Sequence, residues 1–322
     1  MKLRILLISM FVCSIAAAQA AEQLDISFEN DGLTISGTLN LPDGEGPFPA
    51  AVLIHGSGPN DRHESVILND PNAKCLYPDL FGDTIAVFDD LAGALTDAGM
   101  AVYQYEKRSR EHGASLDQTT VTPTDFLRDA VAAAAMLRGR ADIDAKKLVL
   151  IGHSQGANFV HRASDSLGGV AAVVMLSGPA KPIDEVVMSQ IDTILRKCAS
   201  AEAAASTIAQ MRAAFDQLHA GTFPQAPLMG AFPQFWRDWI EITGNAVPTV
   251  EKAQVPTLIM CGLQDINVAP ENIELFEQIK NDQVKVFKFP ELNHMLTTNS
   301  EPHVAAEVTD TMVKWLREVG AL

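Results

Sequence analysis

Ser154 stands between Gly152 and Gly156 in VLIGHSQGANFV, residues Val149–Val160. A serine hydroxyl is a weak nucleophile, and it serves acyl transfer only beside a base that an acid orients. Apolar residues lead into this serine and small ones follow it, so the chain is expected to turn there from a strand into a helix. At such an elbow, side chains two residues to either side of the serine would collide. Glycines at those positions remove the collision. The turn would lift the Ser154 hydroxyl above the sheet and aim the Gln155 N–H at a developing oxyanion. Small residues reach this spacing by chance, so its position between a strand and a helix gives it weight.

An acid and then a base should follow, each in a loop just after a strand. PTLIMCGLQDINVAP supplies Asp265, and VKVFKFPELNHML supplies His294 after the last strand. Asp184 also follows a strand but falls in a long segment without strands, and Asp282 precedes a strand rather than following one. His161, His219 and His303 lie in helical stretches, and His153 is inside the elbow itself. The loop HGSGPNDR after Ala50–His55 should provide the second oxyanion donor, with Gly56 and Gly58 permitting close approach. The Ser57 N–H is the expected donor beside that of Gln155. His55 is expected to brace this loop, and Asp61 and Arg62 to pair locally. His63 and Glu64 lack the H-E-x-x-H spacing, and no metal site or other cofactor is expected.

These residues need a frame. Asp31-Gly32 between LDISFEN and LTISGTLNL signals a hairpin. Six further strands are predicted at Ala50–His55, Met100–Tyr105, Lys147–Ile151, Val170–Leu176, Pro256–Cys261 and Val284–Phe289. Most are continuous apolar runs, as in strands covered on both faces. Helical patterns alternate with them: TIAVFDDLAGALTDAG, then TPTDFLRDAVAAAAMLRG with Thr122 as N-cap and Pro123 in the first turn, and lastly Glu301–Val319. An antiparallel start followed by this alternation predicts an α/β fold with a mostly parallel eight-stranded sheet. Between Leu176 and Pro256 no strand is evident. Ile208, Met211, Phe215 and Leu218 recur there at helical spacing, so a helical insertion over the sheet's carboxyl edge is expected. Its stretch FPQAPLMGAFPQFWRDWIEI gathers aromatic residues in a chain with only 6% of them. Phe235 and Trp236 are the expected substrate-binding side chains, unless these rings simply fasten the insertion to the sheet.

GHSQG, HGSGP and the Asp265 and His294 loops, in this order, resemble the α/β-hydrolase superfamily from Ala50 to the C-terminus. Within it, HGSGPNDR and YQYEKR look like a bacterial serine esterase group that carries an HGSGP-x-D-R stretch. The chain departs from that group at Ser109, where a glycine is usual, and in a longer, more polar segment from His63 to Asp83. The resemblance implies an α/β-hydrolase fold over 21–322 with a helical cap insertion at about 180–250. It implies a carboxylesterase using Ser154, His294 and Asp265, acting on a small-molecule ester through an acyl-enzyme.

Composition narrows the setting. A hydrophobic content of 47% supports a large core, and a net charge of −16 argues against binding nucleic acid or anionic membranes. Lys2 and Arg4, the apolar run Leu6–Ile15 and Ala18-Gln19-Ala20 read as a cleaved signal peptide over residues 1–20, with export to the periplasm or beyond. The apolar run is short for a membrane span. Cys75 and Cys198 are candidates for a disulfide in an exported chain, and Cys261 for a small core residue. Two other readings stand beside the esterase. One is an exopeptidase on the same scaffold, with Arg108, Arg110 or Glu111 clamping a substrate terminus. The other is a binding protein without catalysis, against which the complete set of three residues weighs.

Overall fold

The computed structural model describes residues 22–322. The signal-peptide expectation therefore lies outside the described residues.

Strands β1 (Glu22–Asn30) and β2 (Leu33–Leu41) form the hairpin, with positive φ at both Asp31 (50°) and Gly32 (75°). Such a turn follows the right-handed twist of the strands it joins. β3 (Phe48–Ile54) enters the centre of the sheet. The polar segment after it contains two short strands, β4 (Ser65–Ile67) and β5 (Thr84–Ala86), which pair with each other and enclose helix α1 (Pro71–Leu76). Residues 84–86 read as the start of a helix in sequence. Pairing with β4 claims them, and helix α2 begins only at Val87, ending at Asp97. β6 (Ala101–Tyr105), the short α3 (Arg108–Glu111) and α4 (Pro123–Arg138) follow. The Asp125 carboxylate accepts the Thr122 N–H at 2.7 Å, which caps α4.

β7 (Ile143–His153) leads into the elbow, a 3₁₀ turn over Ser154–Asn158, and α5 (Val160–Ser166). After β8 (Ala172–Leu176) come four helices in succession: α6 (Ile183–Cys198), α7 (Ala201–His219), α8 (Pro233–Gly244) and α9 (Ala246–Glu251). β9 (Thr257–Gly262), α10 (Glu271–Glu277), β10 (Val284–Phe289) and α11 (Ala306–Glu318) complete the chain. The last helix begins five residues later than its pattern predicts, because the Val304 N–H is drawn to the Asp90 carboxylate at 2.8 Å.

The main sheet runs β1-β2-β6-β3-β7-β8-β9-β10. β2 lies antiparallel to β1 and β6, and every later pair is parallel. Parallel strands share one carboxyl edge, so the loops after β3, β6, β7, β9 and β10 emerge together. The core strands β3, β7, β8 and β9 are buried on both faces, between two apolar layers. One layer includes Phe126, Leu150 and Phe159, the other Phe88, Leu258 and Trp315. Cys261 is buried in β9, and burial pushes its thiol up to about 12. Edge strand β10 alternates and exposes lysines, which discourages pairing with another chain.

The helices between β8 and β9 have a small core of their own, built on Val187, Phe215, Trp236 and Trp239. Two ties hold them to the body. A Cys75–Cys198 disulfide joins α1 to the end of α6, and the Asp238 carboxylate accepts the Thr124 N–H at 2.7 Å, joining α8 to α4. Among the described residues, no helix is long and apolar enough to cross a membrane.

Candidate active site

Ser154 holds a left-handed backbone, with φ of 53°. A strained non-glycine residue at a strand-to-helix turn is what an exposed nucleophile at an elbow demands. The flanking glycines have physical causes. A Cβ on Gly152 would fall on the Gly156 carbonyl, and one on Gly156 would strike the carbonyls of Ile54 and His55 in the neighbouring strand. The elbow is thus wedged against the end of β3, beside the loop carrying Ser57. Neither the Ser57 nor the Gln155 N–H has an acceptor among the described residues.

Asp265 and His294 leave β9 and β10 and meet. The imidazole Nδ1 and Asp265 Oδ2 are 2.8 Å apart, and both residues are buried. The second carboxylate oxygen accepts the N–H groups of Asn267 (2.8 Å) and Val268 (2.7 Å), which fixes the acid. An imidazole held this way keeps its proton on Nδ1 and leaves Nε2 free as a base. His294 and Ser154 line the same cavity, without a direct hydrogen bond between hydroxyl and imidazole. Such contacts tighten when a substrate is bound. The rival acid Asp184 is engaged elsewhere, 2.8 Å from His219 in the helical insertion. Asp282 sits in the turn before β10, at the opposite edge.

The cavity encloses about 560 Å³. Ser57, Ser154 and His294 form one part of its wall. Ile183, Val187, Phe235, Trp236, Trp239 and Val268 form an apolar part, so both side chains expected to bind substrate do line it. Trp236 also fastens the insertion: it stacks on Trp239 at 5.8 Å, meets Phe215 edge-on at 5.4 Å and donates to the Leu228 carbonyl at 2.9 Å. Arg108, Arg110 and Glu111 do not line the cavity. The Arg108 guanidinium is buried in a paired contact with Asp129, at 2.6 Å for each bond, and Glu111 accepts the Ser36 N–H.

The sequence suggests that Asp61 and Arg62 pair locally, and the structure gives them different partners. Asp61 accepts the N–H groups of His63 and Ser65, shaping a turn, while Arg62 reaches Glu106 and Thr38, at 2.8 Å each. Free N–H groups two and four residues on capture an aspartate more readily than its chain neighbour does. His55 packs between Phe88 and Tyr105, and burial pulls its imidazole down to about 4.

Two buried ions that the sequence pattern does not predict, Glu64 and Lys107, lie behind the loop. Glu64 Oε1 accepts the Gly56 N–H at 2.6 Å and contacts His153 Nδ1 at 3.0 Å. The other His153 nitrogen contacts the carbonyl of His294 at 2.9 Å. Lys107, two residues after β6, donates to the Gly56 carbonyl at 2.5 Å and to Gln155 Oε1 at 3.0 Å. A lysine two residues past a buried strand, at the carboxyl edge, is a signal of such a role. Glu64 is local to its loop but pairs across 89 residues.

Burial alone would discharge both His153 and Glu64, and the opposite charge beside each prevails. His153 is held above the ordinary imidazole range and Glu64 below the carboxylate range. The stabilisation from His153 is complete below pH 6.5 and is lost as pH rises through its raised pKa. That from Glu64 is complete above pH 4.5 and is lost as pH falls through its lowered pKa. Glu64→Gln should therefore destabilise the fold by about 3–5 kcal/mol near neutral pH. Thermal melts against pH check this: the variant's midpoint should decline less steeply on the alkaline side than the wild type's.

A sheet of this order, with a serine on the elbow after β7 and an Asp-His pair on the loops of β9 and β10, is the α/β-hydrolase fold. The chain belongs to the serine aminopeptidase S33 family, whose profile matches residues 70–301. Esterase EstD of Thermotoga maritima is 28% identical over 307 residues, covering 90% of this chain and 68% of that protein. Among solved structures, Est1E from Butyrivibrio proteoclasticus superposes with a TM-score of 0.59 at 18% identity, over 92% of this chain and 99% of the other. Pyrococcus horikoshii acylaminoacyl peptidase gives a TM-score of 0.60 at 12% identity, over 93% of this chain and 42% of the other. These two likenesses concern the fold.

Proposed function

We propose that this protein is an exported carboxylesterase that cleaves small neutral esters through a Ser154-His294-Asp265 triad. Ser154 Oγ attacks the ester carbonyl and passes its proton to His294 Nε2, which delivers it to the leaving alcohol. Asp265 holds the tautomer and stabilises the imidazolium. The Ser57 and Gln155 N–H groups receive the oxyanion, each contributing on the order of 3 kcal/mol to the transition state. Water activated by His294 then releases the acid.

The observation that carries the reading is the makeup of the cavity: among its described lining residues, His294 is the only one with an imidazole, amine, guanidinium or carboxylate side chain. An exopeptidase must hold a charged terminus, and an uncompensated ion on an apolar wall is costly. The wall therefore favours a neutral ester over a peptide end, and the HGSGPNDR stretch and the relation to EstD favour the same choice. The N-terminal sequence and the Cys75–Cys198 disulfide support export, since such bonds persist in oxidising compartments.

The test compares kcat/KM on p-nitrophenyl esters of graded acyl length with that on aminoacyl p-nitroanilides. Neutral esters should be preferred; faster cleavage of nitroanilides with a free α-amino group would make the protein a peptidase. In the same panel Phe235→Ala should shift the preferred acyl length with little change in thermal midpoint, since Phe235 is only partly buried. Trp236→Ala should instead cost about 3–5 kcal/mol of stability, through the packing it removes. An unchanged length profile in Phe235→Ala would remove that ring from the acyl pocket.

A further inference from the structure

We infer that Lys107 is the positioning residue of the oxyanion hole: one ammonium grips the Gly56–Ser57 peptide by its carbonyl and Gln155 by its side chain, and so holds both backbone N–H groups that receive the oxyanion and adds a positive charge behind them. This rests on the assignment of the Ser57 and Gln155 N–H groups above. The Gly56 carbonyl and the Ser57 N–H belong to one planar trans peptide and point opposite ways along it. A donor at 2.5 Å on the carbonyl therefore fixes where the Ser57 N–H points and polarises it. The same Nζ, 3.0 Å from Gln155 Oε1, holds the second donor residue by its side chain. The preceding peptide is fixed too, because Glu64 takes the Gly56 N–H at 2.6 Å.

The ammonium is 3% exposed as a residue and lies 4.4 Å over the Phe126 ring. Its partners are a carbonyl, an amide oxygen and an aromatic face, with no carboxylate in direct contact among the described residues. Placing a cation there is expensive for folding alone, and a charge facing a developing oxyanion supplies a reason to keep it. Arg108, the next residue, is clamped on Asp129 and so anchors the segment that delivers Lys107.

The titratable groups facing it are His55 just past β3, Glu64 on the loop, Tyr105 at the end of β6 and Asp129 on α4, with Arg108 next in the chain. Burial pulls the Lys107 amine down to about 7, against the opposing pull of Glu64 and Asp129. The charge is thus present on the acid side and lost as pH rises. The rate should fall as Lys107 discharges.

The experiment measures Lys107→Met and Lys107→Gln beside wild type. It reads kcat and KM on p-nitrophenyl butyrate, Ki for a trifluoromethyl ketone that forms a tetrahedral adduct, and the pH profile of kcat. Folded Lys107→Met should lose about 10²–10³-fold in kcat and weaken the ketone by a similar factor. Its KM should stay within about threefold of wild type. A merely structural lysine would not single out the tetrahedral adduct. Should the methionine variant fail to fold, Lys107→Gln and the wild-type profile decide: an alkaline fall in wild type that is absent from the glutamine variant supports the inference. Unchanged ketone affinity in a folded variant, or a wild-type rate with no alkaline fall, overturns it. Fluorophosphonate labelling of wild type separates the two levels. A labelled Ser154 with Lys107 variants unaffected overturns this inference alone, whereas an unlabelled Ser154 overturns the hydrolase reading and this inference with it.

Discussion

Ser154→Ala should lower kcat/KM for ester hydrolysis by about 10⁴–10⁶-fold, because the covalent route disappears and only the oxyanion donors and binding remain. The fold should survive. Alanine fills no more space than serine, and it inherits the same left-handed backbone at φ of 53°, so neither packing nor strain changes greatly. Circular dichroism and the thermal midpoint, measured with the rate, should match wild type. Retention of more than about one per cent of the activity would remove Ser154 from the role of nucleophile.

Asp265→Asn is expected to cost about 10⁴-fold in kcat with the geometry intact. An amide in place of the carboxylate offers its N–H to His294 Nδ1 as readily as its oxygen, and the tautomer with Nε2 protonated has no lone pair to receive the serine proton. The two backbone N–H groups on Oδ1 would still find an acceptor, so the loop after β9 should keep its shape. Asp184→Asn is the control. That carboxylate is bonded to His219 within the insertion, and its loss should leave the rate near wild type. A large loss in Asp184→Asn and none in Asp265→Asn would place the acid on the other strand.

The residues most legible in the sequence were those whose positions follow from local pattern. Ser154, Asp265 and His294 each come just after an apolar run long enough to be a buried strand, and parallel strands bring such ends to one edge. The flanking glycines were legible because a Cβ there meets backbone, which no side-chain rearrangement relieves. What escaped depends on contacts between distant segments. The ribbon of β4 and β5 spans a polar stretch with no alternating pattern, and mutual pairing alone makes it a strand pair. Arg62 finds Glu106 and Thr38 through the fold, so its neighbour Asp61 was the wrong partner. Glu64 and Lys107 are ordinary surface residue types in composition. They become buried ions only where the loop after β3 closes over the end of β6. The cysteines at 75 and 198 raised the possibility of a disulfide, but joining residues 123 apart needs the insertion folded over α1.

Mass-spectrometric mapping of a fluorophosphonate adduct tests the central claim most directly. Only a serine activated by a base and facing an oxyanion hole reacts readily with such a probe. The expected result is a single adduct on the peptide containing Ser154, slowed by an ester substrate and absent from Ser154→Ala. No adduct, or equal labelling of the Ser154→Ala variant at another residue, would contradict the proposed serine hydrolase.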